Sequence, residues 1–141
     1  MDFIIDSLYL GDNSDAKKLI RERSIEAVIN VSHYENHKLP RKSKIKYFKI
    51  GIRDSKNTDS NLHLATYLVL DYCMKNNFKT LIHCSAGRSR SASYVILYLM
   101  VKHGMNYDQA INYIKERRRI TDKRFKKIIL SNYERLKLYK I

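Results

Sequence analysis

The chain has 141 residues, of which 44% are hydrophobic and 30% charged, with one proline and four glycines. That composition argues against disorder, a collagen-like repeat or a two-domain protein, and supplies one core that needs no disulfide or metal to hold it. Twenty-eight Lys and Arg against fourteen Asp and Glu leave a net charge of +14, which attracts anionic partners (phosphorylated proteins, nucleic acids, acidic lipids) without dictating a fold.

In chain order, Phe3-Ile4-Ile5 and Leu8-Tyr9-Leu10 flank Asp6-Ser7 as a small hairpin that Gly11 ends. Acids at Asp2 and Asp6 stand where a secretory signal needs bases. Ser14 to Arg23 reads as a helix with Ala16, Leu19 and Ile20 on one face. Ala27 to Val31 is a β-branched run, and Tyr47 to Ile52 is a second, alternating one. Asn61 to Asn76 is helical in pattern, with Leu62, Ala65, Val69 and Tyr72 or Cys73 expected inward. Thr80-Leu81-Ile82-His83 is the third β run. Arg90 to His103 is apolar nearly all round, with Gly104 placed as a left-handed C-cap. Asn106-Tyr107-Asp108-Gln109 forms a capping box for the next helix, and a last helix starts at about Asp122, with Phe125, Ile128, Ile129, Tyr133 and Leu136 inward. The longest uninterrupted apolar stretch, Tyr94 to Val101, is eight residues, well under the roughly 18 needed to cross a bilayer. Strands alternating with helices predict an α/β layer architecture whose sheet is largely parallel.

In such sheets ligands bind where strands end and helices begin, which directs attention to His83-Cys84-Ser85-Ala86-Gly87-Arg88-Ser89-Arg90-Ser91. The small residues Ser85, Ala86, Gly87 and Ser89 let the backbone curl, so that successive N–H groups converge at the positive end of a helix. Arg90, at the first helical turn, can make two parallel hydrogen bonds to a tetrahedral oxyanion such as phosphate. Thiols in such surroundings ionise at roughly 3.5–7.5 rather than about 8.5, so Cys84 is expected to be a nucleophilic thiolate. Ser91 can donate its hydroxyl to that sulfur, and His83 is expected to brace the loop from behind. Asp54, which follows the second β run to the same sheet edge, is the candidate acid for a departing alkoxide or phenoxide, with Asp59 the second choice. Cys73 is expected to be core. Cys73 and Cys84 show neither Cys-x-x-Cys nor paired-His spacing, so neither a disulfide scaffold nor a zinc cage is expected.

The run His83 to Arg90 followed by Ser91 resembles the signature loop of cysteine-based protein phosphatases, and its Ala86-Gly87-x-Ser89-Arg90-Ser91 form is similar to the dual-specificity branch. The resemblance extends over essentially the whole chain: Leu8 to Gly11 resembles the family's opening strand, Ala27 to Ser32 its Asn-Val-Ser strand, Asp54 its acid loop, and Tyr98-Leu99-Met100 its helix after the signature loop. It implies a central, mostly parallel twisted sheet of about five strands flanked by helices, and one catalytic domain over residues 1–141. It further implies a phosphocysteine formed on Cys84, phosphate held by Arg90 and the amides of Ser85, Ala86, Gly87, Arg88 and Ser89, and Asp54 as acid and then base. No metal and no cofactor are implied. A chain this short resembles the shallow-pocket type that accepts phosphoserine and phosphothreonine as well as phosphotyrosine.

Two rival readings stand beside this one. Hydrolysis of an RNA 5′ end or a phosphoinositide suits the charge, yet RNA 5′-triphosphatase relatives carry His-Gly-x-Asn-Arg-Thr where this chain has Ala86 to Ser91, and the phosphoinositide branch has lysines inside the loop. A non-catalytic phosphate reader would keep Arg90 and the amides but has no use for Cys84 or Asp54. Lys38, Arg41, Lys42, Lys44, Lys46 and Lys49 form one basic cluster, and Lys115, Arg117, Arg118, Arg119, Lys123, Arg124, Lys126 and Lys127 a second. They read either as solvated faces or as a collar that steers phosphorylated substrates, RNA or anionic lipid. His33, His37, His63 and His103 are expected at the surface or in caps, and Tyr34 or Tyr107 at the pocket mouth. The expected partners are phosphorylated proteins, with a homodimer left open, and the expected location is cytoplasmic, with the nucleus, or host cytoplasm for a viral chain, as alternatives.

Overall fold

The computed structural model describes residues 1–53, 60–85, 90–120 and 125–139. The hairpin forms as expected, β1 (Asp2–Ile5) pairing antiparallel with β2 (Leu8–Gly11) through a turn in which Asp6 takes φ +56°. The other strands are β3 (Ala27–Asn30), β4 (Lys46–Lys49) and β5 (Thr80–His83), and the sheet order is β1-β2-β5-β3-β4 with every pairing beyond the hairpin parallel. β5 therefore lies between β2 and β3, and all four of its residues are buried.

Residues alternate between the two faces of each strand. Val28 and Leu81 meet α1 (Asn13–Arg21) through Ala16, Leu19 and Ile20, with Ile25 completing this smaller core. Ala27, Ile29 and Ile82 join the larger core on the other face. There α3 (Arg90–His103) is the central helix, buried from Ser91 to Met100 and packed against α2 (Ser60–Lys75), α4 (Tyr107–Lys115) and α5 (Lys126–Leu138). Coverage of both faces explains why β3 and β5 read as continuous apolar runs. Asp12 caps α1 by accepting from the Asp15 amide at 2.9 Å, Asn106 and Gln109 form the capping box of α4, and Gly104 takes φ +66° after α3.

Two expectations are corrected. β4 covers Lys46–Lys49, shorter than the run to Ile52, because beyond Lys49 the chain leaves the ladder and makes single bonds from Ile50 N to Asn30 O and from Ile52 N to Val31 O. The inward face of α2 is also rotated by about one residue from the expected one. His63, Thr66, Tyr67, Leu70, Cys73 and Met74 are buried, whereas Leu62, Leu68 and Tyr72 are 40%, 41% and 49% exposed. This helix carries apolar side chains nearly all round, so periodicity does not choose its face. Three of its buried polar residues find partners: Thr66 donates to Leu62 O at 2.7 Å, His63 meets the Tyr94 hydroxyl at 3.0 Å, and Asp71 pairs with Lys75 and Lys102.

Gly11 ends β2 beside β5, and a methyl group there would lie 2.7 Å from Asp15 Oδ2 and 3.0 Å from Leu81 Cδ1. Asp15 cannot turn away cheaply, since it accepts from the Asp12 amide and pairs with the N-terminal amine. Gly11→Ala is expected to lower stability by about 1–3 kcal/mol, read from the urea unfolding midpoint.

Candidate active site

Parallel register aligns the last residues of four strands in one row: Gly11, His83, Asn30 and Lys49. The next residue after the central strand is Cys84, 3% exposed, and its Sγ lies 3.2 Å from the hydroxyl of Ser91. Ser91 is fully buried in the first turn of α3, so strand end and helix start meet at the sulfur. Arg90 opens the same helix, and its guanidinium donates to Ile52 O at 3.1 Å and to Ser85 Oγ at 3.2 Å. Ser85 O in turn accepts from Asn13 N at 3.3 Å. Residues on either side of the signature loop are thus fastened to α1 and to the segment after β4. A guanidinium carries five N–H groups, so these two contacts leave donors for an oxyanion.

His83 sits behind this arrangement. Its Nδ1 is 3.1 Å from Cys84 O, a carbonyl that can only accept, so the ring proton belongs on Nδ1. Its Nε2 then accepts from His37 Nε2, 3.0 Å away. Burial, with help from His37 and Lys49, lowers the His83 pKa to about 4 and keeps it neutral. His37 is held where it is by a network that the sequence did not disclose. The Tyr47 hydroxyl accepts from the His37 amide at 3.2 Å, and Asn30 Nδ2 donates to Tyr47 Oη and to Glu35 O. The Lys49 amine donates to Ser32 O and Glu35 O, so Asn30 and Lys49, neighbours in register, together fold the 31–37 segment back over β5. Burial lowers the pKa of Lys49 as well.

Of the residues expected at the site, His83, Cys84, Ser85, Arg90 and Ser91 are brought together. Asp54, Asp59, Ala86, Gly87, Arg88 and Ser89 lie outside the described residues. Cys73 is in the core, where burial pushes its thiol up to about 11. Neither Cys73 nor Cys84 is in a disulfide.

Several expectations need correction. His63 is not at the surface; it is buried between the rings of Tyr94 and Phe125. Tyr107 is buried under Lys126 rather than at a pocket mouth, and Tyr34 is 88% exposed. The basic clusters are not uniform faces. Lys49 is turned inward, Lys46 covers Phe78, Arg117 stacks on Tyr113, and Arg118 pairs with Asp2 at 2.8 Å. The missed supports, Asn30, His37 and Lys49, left one readable trace: Asn30 and Lys49 are polar residues within otherwise apolar or alternating β runs.

A buried thiol, a hydroxyl on its sulfur and a guanidinium on the following helix can together take up a tetrahedral oxyanion and attack its centre. Residues 8–135 match the family model for the dual specificity phosphatase catalytic domain. The chain is 34% identical over 121 residues to human Protein phosphatase Slingshot homolog 2, covering 84% of this chain but 8% of that protein. It is 33% identical over 124 residues to mouse Dual specificity protein phosphatase 26, covering 83% of this chain and 59% of that one. A relative from Invertebrate iridescent virus 6 is 34% identical over 121 residues and is covered over 79% of its length. Among solved structures, the human tyrosine phosphatase-like serine/threonine/tyrosine-interacting protein superposes with TM-score 0.81 at 28% identity, covering 98% of this chain and 97% of that one. Human DUSP28, at 22% identity and TM-score 0.79 over 99% of both chains, shares the fold.

The fold and site thus define a cysteine-based phosphatase domain of the protein tyrosine phosphatase superfamily. Within that class the chain belongs to the dual specificity phosphatase catalytic domain family. It spans less than two thirds of the Slingshot and mouse relatives it matches. Among the described residues, no helix is long and apolar enough to cross a membrane.

Because His83 is neutral in the folded protein, with its pKa lowered from 6.5 to about 4, the unfolded chain binds the extra proton first as pH falls. Stability is therefore lost on acidification from about 6.5 towards 4, by about 3 kcal/mol across the window. In urea unfolding at stepped pH, His83→Asn should show a shallower decline than wild type over that window; parallel curves would contradict the buried neutral imidazole.

Proposed function

We propose that this domain is a protein phosphatase that hydrolyses phosphotyrosine, phosphoserine and phosphothreonine through a phosphocysteine on Cys84, and that residues 1–141 form one catalytic domain. The observation that carries this reading is the 3.2 Å approach of Cys84 Sγ to the Ser91 hydroxyl, with Arg90 beside it at the start of α3. Helix N-termini and guanidinium groups favour a thiolate over a thiol, and burial shields that nucleophile from bulk water.

In the first step the Cys84 thiolate attacks phosphorus and the bond from phosphorus to the substrate oxygen breaks. Asp54, as the neutral acid, gives its proton to that oxygen, so alcohol or phenol leaves and the phosphoryl group stays on sulfur. Arg90, with the amides of Ser85 to Ser89, balances the charge on the three non-bridging oxygens. In the second step Asp54, now a carboxylate, takes a proton from water, which attacks phosphorus. The sulfur–phosphorus bond breaks, the Ser91 hydroxyl donates to the departing thiolate, and inorganic phosphate is released. The Ile52 carbonyl, two residues before Asp54 in the sequence, is bound by Arg90, which supports assigning the acid to this segment. His83 is a positioning residue, holding Cys84 O from behind.

Phosphorylated proteins are the favoured substrates over RNA ends or phosphoinositides because three cations of the second basic cluster are engaged within the molecule: Arg117 on Tyr113, Arg118 on Asp2 and Lys126 over Tyr107. The test compares wild type and Cys84→Ser on p-nitrophenyl phosphate, a phosphopeptide panel and a 5′-triphosphorylated RNA. Turnover of the first two, lost in Cys84→Ser, is expected; equal turnover by both proteins, or turnover of RNA alone, would contradict the reading. The wild-type kcat/KM should be bell-shaped in pH with an optimum on the mildly acidic side. Asp54→Asn should lower it by about 10²–10⁴ and remove the alkaline limb, since no acid then remains to deprotonate.

A further inference from the structure

A cleft of about 470 Å³ opens between α1 and the segment that connects β3 to β4. Four cations line it, Lys17 and Arg21 from the helix and Lys38 and Arg41 from the connection, and no carboxylate lines it among the described residues. Its floor is aliphatic, made by Ile20, Leu39 and Pro40. At the inner end is His37, whose imidazole rests on His83 behind the catalytic cysteine. Burial and then the charge of Lys17 lower the His37 pKa, with the Glu35 carboxylate opposing them.

The cleft has a fixed position relative to the site. Asn13, in the first turn of α1, binds Ser85 O, and Lys17 and Arg21 follow one and two turns later. At about 1.5 Å of rise per residue, these cations stand about 6 and 12 Å along the helix from the catalytic loop. An extended peptide advances about 3.3 Å per residue. A substrate whose phosphate is held by Arg90 would therefore bring its second to fourth neighbouring residues to the cleft.

We propose that this cleft is a docking site for an acidic segment of the phosphoprotein substrate, selecting carboxylate or phosphorylated side chains two to four residues from the hydrolysed position. The proposal rests on the protein-phosphatase reading and specifies its substrates. Cationic walls over an aliphatic floor match a peptide that mixes acidic and aliphatic residues. RNA would be expected to stack on aromatic rings, and none of the large aromatics lines this cleft; a lipid surface calls for a protruding apolar face, whereas this one is concave.

The test uses Cys84→Ser protein, so that binding is read without turnover, and fluorescein-labelled alanine-based phosphotyrosine peptides with Glu at the second to fourth positions on either side, or Gln in their place. By fluorescence polarisation the Glu peptide should bind about tenfold more tightly than the Gln peptide, with the gap narrowing as salt rises. Adding Lys17→Glu and Arg41→Glu should erase the preference while leaving the Gln peptide's affinity in place. Thermal unfolding checks that this variant is folded; if it is not, Lys38→Gln with Arg41→Gln, both on the connecting segment, should still reduce the preference at least threefold. Equal binding of the two peptides, or a preference that survives both sets of changes, would overturn the proposal. Displacement of the Glu peptide by a 12-nucleotide single-stranded RNA or by phosphatidylserine vesicles, dependent on Lys17 and Arg41, would overturn the peptide assignment. The phosphatase reading is checked separately by wild-type turnover of p-nitrophenyl phosphate, so either can fail without the other.

Discussion

The structure depends on one junction: a buried parallel strand ends at His83, just before Cys84, and a buried helix begins at Arg90, close enough that the sulfur meets the Ser91 hydroxyl. Parallel sheets place such strand-to-helix junctions at one edge, and here the central position of β5 surrounds the sulfur with neighbours on both sides. β2 leads into α1, whose Asn13 amide holds Ser85 O, and the chain beyond β4 offers Ile52 O to Arg90. Sequence separations of about 40 and 70 residues collapse to hydrogen-bond distance because the parallel register brings the strand ends into line.

A rear support complements this front. His83 can hold the Cys84 carbonyl only with its proton on Nδ1, which commits its other nitrogen to accept, and His37 supplies the donor. Asn30 and Lys49 set His37 in place by tying down Ser32 O and Glu35 O. A proton added to His83 would place two donors nose to nose, so the same geometry that steadies the loop near neutrality weakens it in acid.

Local patterns carried much of this in the sequence. The hairpin, the capping box at Asn106, the turn at Gly104 and the apolar runs of β3 and β5 are consequences of near-neighbour chemistry. So was the grouping of Cys84, Arg90 and Ser91, which one short segment contains. Harder to read was whatever depends on contacts between distant segments. The apolar girth of α2 concealed which face packs, and burial of His63 between Tyr94 and Phe125 requires α2, α3 and the residue before α5 to be placed first. Lys49 looked like one more surface cation until β3 and β4 were paired, when its amine proved to serve the loop above its neighbour Asn30.

The proposed hydrolysis requires a phosphoryl group to pass through the Cys84 sulfur. Wild-type protein mixed with a phosphotyrosine peptide, quenched in acid within milliseconds and digested, should yield the peptide bearing Cys84 heavier by one phosphoryl group, with more of it accumulating in Ser91→Ala because the thiolate then departs less readily. Continued release of inorganic phosphate with that peptide unmodified at every quench time, in both proteins, would contradict it.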